Sequence, residues 1–260
     1  MEDRRESRGG SEQLPRMSLL DHLTELRGRI VKALIGFAVA FALCWVWVKQ
    51  IAEFLARPIY QFLPNGEKLI FLGVTDPFIL YVKVAALAAL FVASPWIAWQ
   101  AWRFVSPGLY KRERLWAIPF VLAGSFFFVA GGAFAYLVAF PFAVEFLLGM
   151  GAAWDAQIAV DRYYRFLLYV ILGLAVMFEL PVVIFLLAQM GLVTPRFLLR
   201  HFRWAVLLIF VAAAFITPTP DVVNLCLFAV PTIGLYLLGV GAAALTTRRK
   251  RRREQPDAAG

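Results

Sequence analysis

Long apolar runs alternate with short charged segments along this chain. Five runs, Ile30–Val48, Pro77–Trp99, Leu115–Phe140, Phe166–Leu187 and Val222–Leu245, each have the length of a membrane-crossing helix, for which about 20 apolar residues cover about 30 Å of hydrocarbon. A sixth, Trp204–Ile216, has only 13 residues free of charge, or about 20 Å of helix at a 1.5 Å rise. Before the first run, Leu19, Leu20, Leu23, Leu26 and Ile30 recur at helical spacing, with Ser18 and Asp21 placed as a capping pair. Lys49–Asp76 carries Ile51, Phe54, Leu55, Ile59 and Tyr60, the pattern of a short helix lying on the membrane surface. Val144–Arg165, with Phe146 and Leu147, reads as a second such segment. Asp76-Pro77 and Thr194-Pro195 are helix starts, Pro95 is an interior kink, and Thr217-Pro218-Thr219-Pro220-Asp221 is a tight turn. The pattern predicts an all-α integral membrane protein with six transmembrane helices. Residues 1–16 are expected to be a disordered N-terminus, 17–246 the membrane domain and 247–260 a basic tail.

Composition agrees with the pattern. Hydrophobic residues make up 62% and charged residues 17%, against about 45–50% and about 25% in soluble domains. Lys and Arg number 20 in residues 1–32, 103–114, 196–203 and 248–253, against 5 in the segments on the other side, Lys83 lying inside the second run. Positively charged segments stay in the cytoplasm, so an even number of spans with both termini inside is expected. The net charge of +9 therefore reports topology and not nucleic-acid binding. A charged stretch of 29 residues precedes the first run, which reads as a retained span and not a cleavable signal. Cys44 and Cys226 sit in apolar runs and read as small buried hydrophobes. His22 and His201, the two histidines, have no metal-ligand spacing to them or to each other.

Candidate chemistry rests on a few acids. Glu179, followed by Leu180-Pro181, interrupts the apolar run Tyr169–Leu187. A carboxylate at that depth faces a protein interior, a cavity or a partner. Lys83, six residues into the second run, is placed to snorkel toward the outer face. On the basic side the acids are Asp21, Glu25 and Glu113, leaving out the extreme termini. Glu25 can pair with Arg29 at i,i+4 and Glu113 can be an ordinary loop charge. Alternatively, both are placed carboxylates that take guanidinium groups bidentately. Ser94 and Ser125 have no base beside them in sequence, and no hydrolase, phosphate-loop or zinc motif occurs. A proton-coupled transporter built on Glu179 remains an alternative, although no inverted repeat joins the two halves. A purely structural scaffold is another.

Four motifs carry a resemblance. His22-Leu23-Thr24-Glu25-Leu26-Arg27-Gly28-Arg29 resembles H-L-x-E-L-R-x-R, and Phe104 through Arg114 resembles F-x-x-P-x-L-Y-x-x-E-R/K. Phe178-Glu179-Leu180-Pro181 is similar to F-E-x-P, and Ile216–Asp221 to a Thr-Pro…Pro-Asp turn. In this order over residues 17 to 246 they resemble the TatC family, the multispanning subunit of the twin-arginine protein translocase. The resemblance implies a receptor for signal peptides carrying an Arg-Arg pair. It also implies a core subunit that works with single-span TatA- and TatB-type partners to move folded proteins across the bacterial inner membrane on the proton-motive force. It implies no enzyme activity and no cofactor, self-association in the receptor complex, and a concave groove bounded by short spans five and six. By resemblance Glu25, Phe104 and Glu113 form the signal-peptide site, supported by Arg27, Pro58, Pro95 and Gln100. Glu179 meets partner spans in the groove, and Asp221 is the outer-turn acid. Many members carry a Gln shortly after that turn; here the sequence is Val222-Val223-Asn224-Leu225.

Overall fold

The computed structural model describes residues 19–62, 69–106, 117–151, 157–217 and 221–254. Among these residues there are ten α-helices: α1 Leu19–Val46, α2 Val48–Tyr60, α3 Asp76–Val105, α4 Ala117–Phe134, α5 Phe140–Met150, α6 Val160–Met177, α7 Leu180–Gln189, α8 Pro195–Arg200, α9 Phe202–Ile216 and α10 Val222–Glu254. Among the described residues five stretches are long and apolar enough to cross a membrane: His22–Val46, Asp76–Val105, Ala117–Met150, Val160–Gln189 and Val222–Leu245. Large side chains such as Leu34, Ile35, Leu122 and Phe126 on these stretches, and Leu208 and Phe215 on α9, lie exposed. In water such a surface would aggregate; in hydrocarbon it costs nothing.

Two aromatic contacts establish that α1 and α3 run antiparallel. His22 stacks on Phe104 at one end, with ring centroids 4.5 Å apart, and Trp45 meets the edge of Phe78 at the other. The chain then shuttles between these ends. Phe120 on α4 and Val182 on α7 join Trp102 near the Phe104 end. At the opposite end α2 lies across the bundle, its Ala52, Leu55, Ala56 and Ile59 turned inward. Tyr136, Tyr163 and Tyr164 donate hydroxyl hydrogen bonds to the carbonyls of Phe54, Leu55 and Ala52, at 2.6, 2.9 and 2.6 Å. Ile70 and Ala159 close this end with a single parallel β-bridge. The backbones of α4 and α6 come so close that a Cβ on Gly131 would sit 2.8 Å from the Leu174 carbonyl oxygen and Ala175 Cα. Only glycine allows this approach.

Several elements differ from the sequence expectation. The amphipathic start and first span are one helix, α1. The third span continues through a π-helical turn, Ala135–Ala139, into α5. Phe146 and Leu147 therefore belong to that helix and not to a separate surface element. The π turn directly precedes Pro141, which has no N–H to offer Leu137 in a regular α-turn. The fourth span breaks at Phe178–Glu179, because Pro181 cannot donate to Met177. Thr194 caps α8 through Phe197 N as expected, at 3.2 Å. The fifth apolar helix then begins at Phe202 and has 15 residues, about 22 Å. It is longer than the 13 residues free of charge because Phe202 and Arg203 join it. The final helix does not stop at Leu245: its backbone stays helical through the cation run to Glu254.

Hairpin α9–α10 is set low in the bundle. Ile216, at the end of α9, packs against Gly173 of α6. Gly173 is twelve residues beyond Asp161 on that helix, about 18 Å along its axis. The end of α9 thus falls well short of the end where α2 lies.

Candidate functional site

Residues 22, 25 and 29 share one face of α1 by helical periodicity, and 100 and 104 share one face of α3. The antiparallel pairing brings these two faces together at the Phe104 end. Arg29 Nη2 donates to Glu25 Oε1 at 2.9 Å, with side chains only 16% and 19% exposed. Glu25 Oε2 and Arg29 Nε are enclosed yet have no hydrogen-bond partner among the described residues. Gln100 is buried on α3, and its Oε1 is also unpartnered. Leaving an enclosed acceptor unpaired costs about 1–3 kcal/mol. Two such acceptors, one of them on a carboxylate, suit a ligand rich in N–H donors and positive charge, above all a guanidinium. Arg27 points to the exposed side of α1. His22, to which the sequence reading assigned no role, forms the aromatic wall with Phe104. Its i,i+3 spacing to Glu25 was the available signal. Glu113 lies outside the described residues, as does the segment 107–116.

The two supporting prolines act through carbonyls they leave without a backbone donor. Pro95 has no N–H for Phe91 O, four residues back, and Ser94 Oγ donates to that oxygen at 2.8 Å. Ser94, which looked isolated in sequence, therefore keeps α3 intact at a proline. Pro58 likewise frees Phe54 O, which takes the Tyr136 hydroxyl instead. Trp96, next to Pro95, donates from Nε1 to Lys32 O at 2.8 Å and holds α1 against α3.

Glu179 sits at the break between α6 and α7, half-buried. Its carboxylate faces Gly124 of α4, beside Ala98 of α3; a Cβ at Gly124 would lie 3.7 Å from Oε2 and 3.7 Å from Ala98 Cβ. Ala98 is six residues from Phe104 along α3, about 9 Å. The acid therefore lies slightly beyond the middle of the span, on its Phe104 side. No described side chain hydrogen-bonds to it. Lys83 pairs instead with Asp161 at 3.2 Å, and Arg165 shares that carboxylate at 2.7 Å. This places Lys83 at the α2 end, as snorkelling predicts, with a partner the sequence did not reveal.

At the start of α10, Asp221 Oδ1 accepts from Asn224 N at 2.7 Å and Oδ2 from Asn224 Nδ2 at 2.9 Å. This is an N-cap that uses both carboxylate oxygens. Asn224 is fully buried and holds the cap. Residues 218–220 of the turn lie outside the described residues. Cys44 and Cys226 are unbonded. Among the described residues no group of three His, Cys, Asp or Glu gathers as a metal site.

The family model "Sec-independent protein translocase protein (TatC)" matches residues 21–231. A TatC protein of Koribacter versatilis is 44% identical over 255 residues, covering 96% of this chain and 94% of the relative. One from Aquifex aeolicus is 34% identical over 238 residues, covering 90% and 98%. A crystal structure described as the twin arginine translocase receptor TatC superposes with a TM-score of 0.76 at 33% identity, covering 87% of this chain and all of that one. A second, in the detergent DDM, gives 0.77 at 32%, covering 85% and 99%. Sequence and fold agree over nearly the whole length: this chain belongs to the TatC family of Sec-independent protein translocases.

Proposed function

We propose that the facing sides of α1 and α3 at the Phe104 end take the arginine pair of a twin-arginine signal peptide, with Glu25, Phe104 and Glu113 as its contacts. As a TatC-family protein the chain is the signal receptor and core subunit of the translocase. The observation that carries the assignment to this site is Glu25. One of its oxygens is held by Arg29, and the other is enclosed, unpaired and beside an aromatic wall. The many cations of this end repel a basic peptide in general, so only a placed carboxylate can hold it. One charge-assisted contact is worth about 1.5–3 kcal/mol, which suits selection of a motif more than tight capture. Gln100 offers the site a further acceptor, Pro95 with Ser94 shapes the helix that carries it, Pro58 supports the fold at the opposite end, and Arg27 completes the motif on α1.

In this reading the Phe104 end is cytoplasmic, both termini lie inside, and α9 and α10 are two short spans that complete six. The positive-inside charge count supports that orientation. The membrane domain covers residues 17–246, and the cation run near the C-terminus meets anionic lipid. Spans α9 and α10 bound a concave groove in which Glu179 meets single-span TatA- or TatB-type partners, and Asp221 anchors the turn. The protein self-associates in the receptor complex, needs no cofactor, and serves transport of folded cargo driven by the proton-motive force.

Site-specific photocrosslinking from positions 25, 104 and 113 to a signal peptide in membranes tests the site. An Arg-Arg peptide should crosslink at all three positions and a Lys-Lys version only weakly. Glu25→Ala and Glu113→Ala should each reduce capture at matched protein levels. Unchanged capture in both variants refutes the assignment.

A further inference from the structure

A cavity of about 330 Å³ runs from beneath α2 toward the middle of the bundle, away from Glu25. The surface helix α2 roofs it through Ile51, Phe54 and Leu55. Val84 through Phe91 of α3 line one wall, and Val129 through Leu137 of α4 and the π turn line the other. None of its lining residues is charged. The walls follow α3 for seven residues, a slot about 10 Å deep. An apolar cavity of about 150 Å³ holds a benzene ring, so this one has room for about a dozen carbons by proportion. That fits one extended hydrocarbon chain and not a helix, which needs about 10–12 Å across.

The mouth is not apolar. Arg57 stands over the Phe54 ring with Cζ 5.4 Å from its centroid, and Phe54 in turn stacks on Tyr136 at 4.8 Å. The guanidinium is exposed and makes no ion pair among the described residues. Tyr136 cannot swing away, because its hydroxyl is committed to Phe54 O. A rigid aromatic rim thus separates a carbon-lined slot from a cation of fixed charge that binds phosphate through a planar fork of donors. Lys83, next to the slot's upper wall, shares Asp161 with Arg165, and both of these cations are held by that carboxylate.

We propose that this cavity is a phospholipid site: one acyl chain fills the slot beneath α2 and the lipid phosphate rests on Arg57. The bound chain replaces packing that the protein's own side chains do not supply, and so holds α2 against the bundle. The site is independent of the signal-binding residues at the Phe104 end.

Native mass spectrometry of the purified full chain in detergent tests this, using phosphatidylglycerol and a diacylglycerol with the same chains. One phosphatidylglycerol should bind at least fivefold tighter than any further copy. Arg57→Gln should weaken that first phosphatidylglycerol about fivefold, the scale of one cation near a headgroup, and leave diacylglycerol unaffected. Ala133→Trp fills the slot from an exposed position and should abolish the first adduct of both lipids. Val129→Trp, also exposed, is the second slot-filling variant if Ala133→Trp does not elute as a folded monodisperse species. A graded series of adducts unchanged by all variants means surrounding bulk lipid only and overturns the proposal. Crosslinking of Ala133→Cys to a partner protein's span in membranes, with no tight lipid adduct, overturns it as well.

Discussion

Ser94→Ala should destabilise the protein only while Pro95 is present. Ser94 lies ten residues from Phe104 on α3, about 15 Å along the axis, roughly halfway through a hydrocarbon core of about 30 Å. No bulk water reaches Phe91 O at that depth, and its backbone donor is missing because residue 95 is proline. Removing the 2.8 Å hydroxyl bond therefore leaves a carbonyl bare in an apolar surrounding. A buried orphaned acceptor costs about 1–3 kcal/mol. Side-chain hydrogen bonds measured within membranes average about 0.6 and reach about 1.7 kcal/mol. The expected loss is thus about 1–2 kcal/mol, bounded by these two scales. In a Pro95→Ala background the new N–H takes Phe91 O, and Ser94→Ala should then cost close to nothing. The four proteins form a double-mutant cycle with a coupling near the full effect of the single change. Equilibrium unfolding in mixed micelles, followed by near-ultraviolet circular dichroism, reads it out. An equal Ser94→Ala cost in both backgrounds would show that the hydroxyl does not stand in for the missing N–H.

Replacing Tyr163 and Tyr164 together by Phe removes two buried hydrogen bonds to α2, worth about 2 kcal/mol in all. Amide exchange should accelerate across Val48–Tyr60 before the rest of the bundle, and uniform exchange would argue against tyrosine docking. Glu179→Ala and Glu179→Gln should spare signal-peptide crosslinking and slow transport of a folded cargo. Wild-type transport rates in both would reduce the acid to a structural role. Hairpin α9–α10 should locally thin the bilayer, since about 22 Å of α9 leaves about 8 Å of a 30 Å core unspanned. Depth-resolved spin labels along residues 198 to 222 should find the two lipid interfaces closer together there, and a full-thickness spacing would rule thinning out.

The long apolar helices, their order and the family were legible in the sequence, because apolar length and local motifs each depend on neighbouring residues only. Thr194 as a cap and Lys83 as a snorkelling cation were legible for the same reason. Contacts between distant segments were not. His22 meets Phe104 only because α1 and α3 pack antiparallel, and Ser94 acquires its role from the carbonyl that Pro95 leaves unpaired. Counting along the apolar run puts Glu179 slightly beyond mid-span, but only packing shows that Gly124 and Ala98 are its neighbours. Asp161 emerges as the partner of Lys83 from 78 residues away. Hydropathy measures how much of a helix prefers lipid. The depth at which it sits, and which polar atoms lack a partner there, follow from how the helices pack against one another.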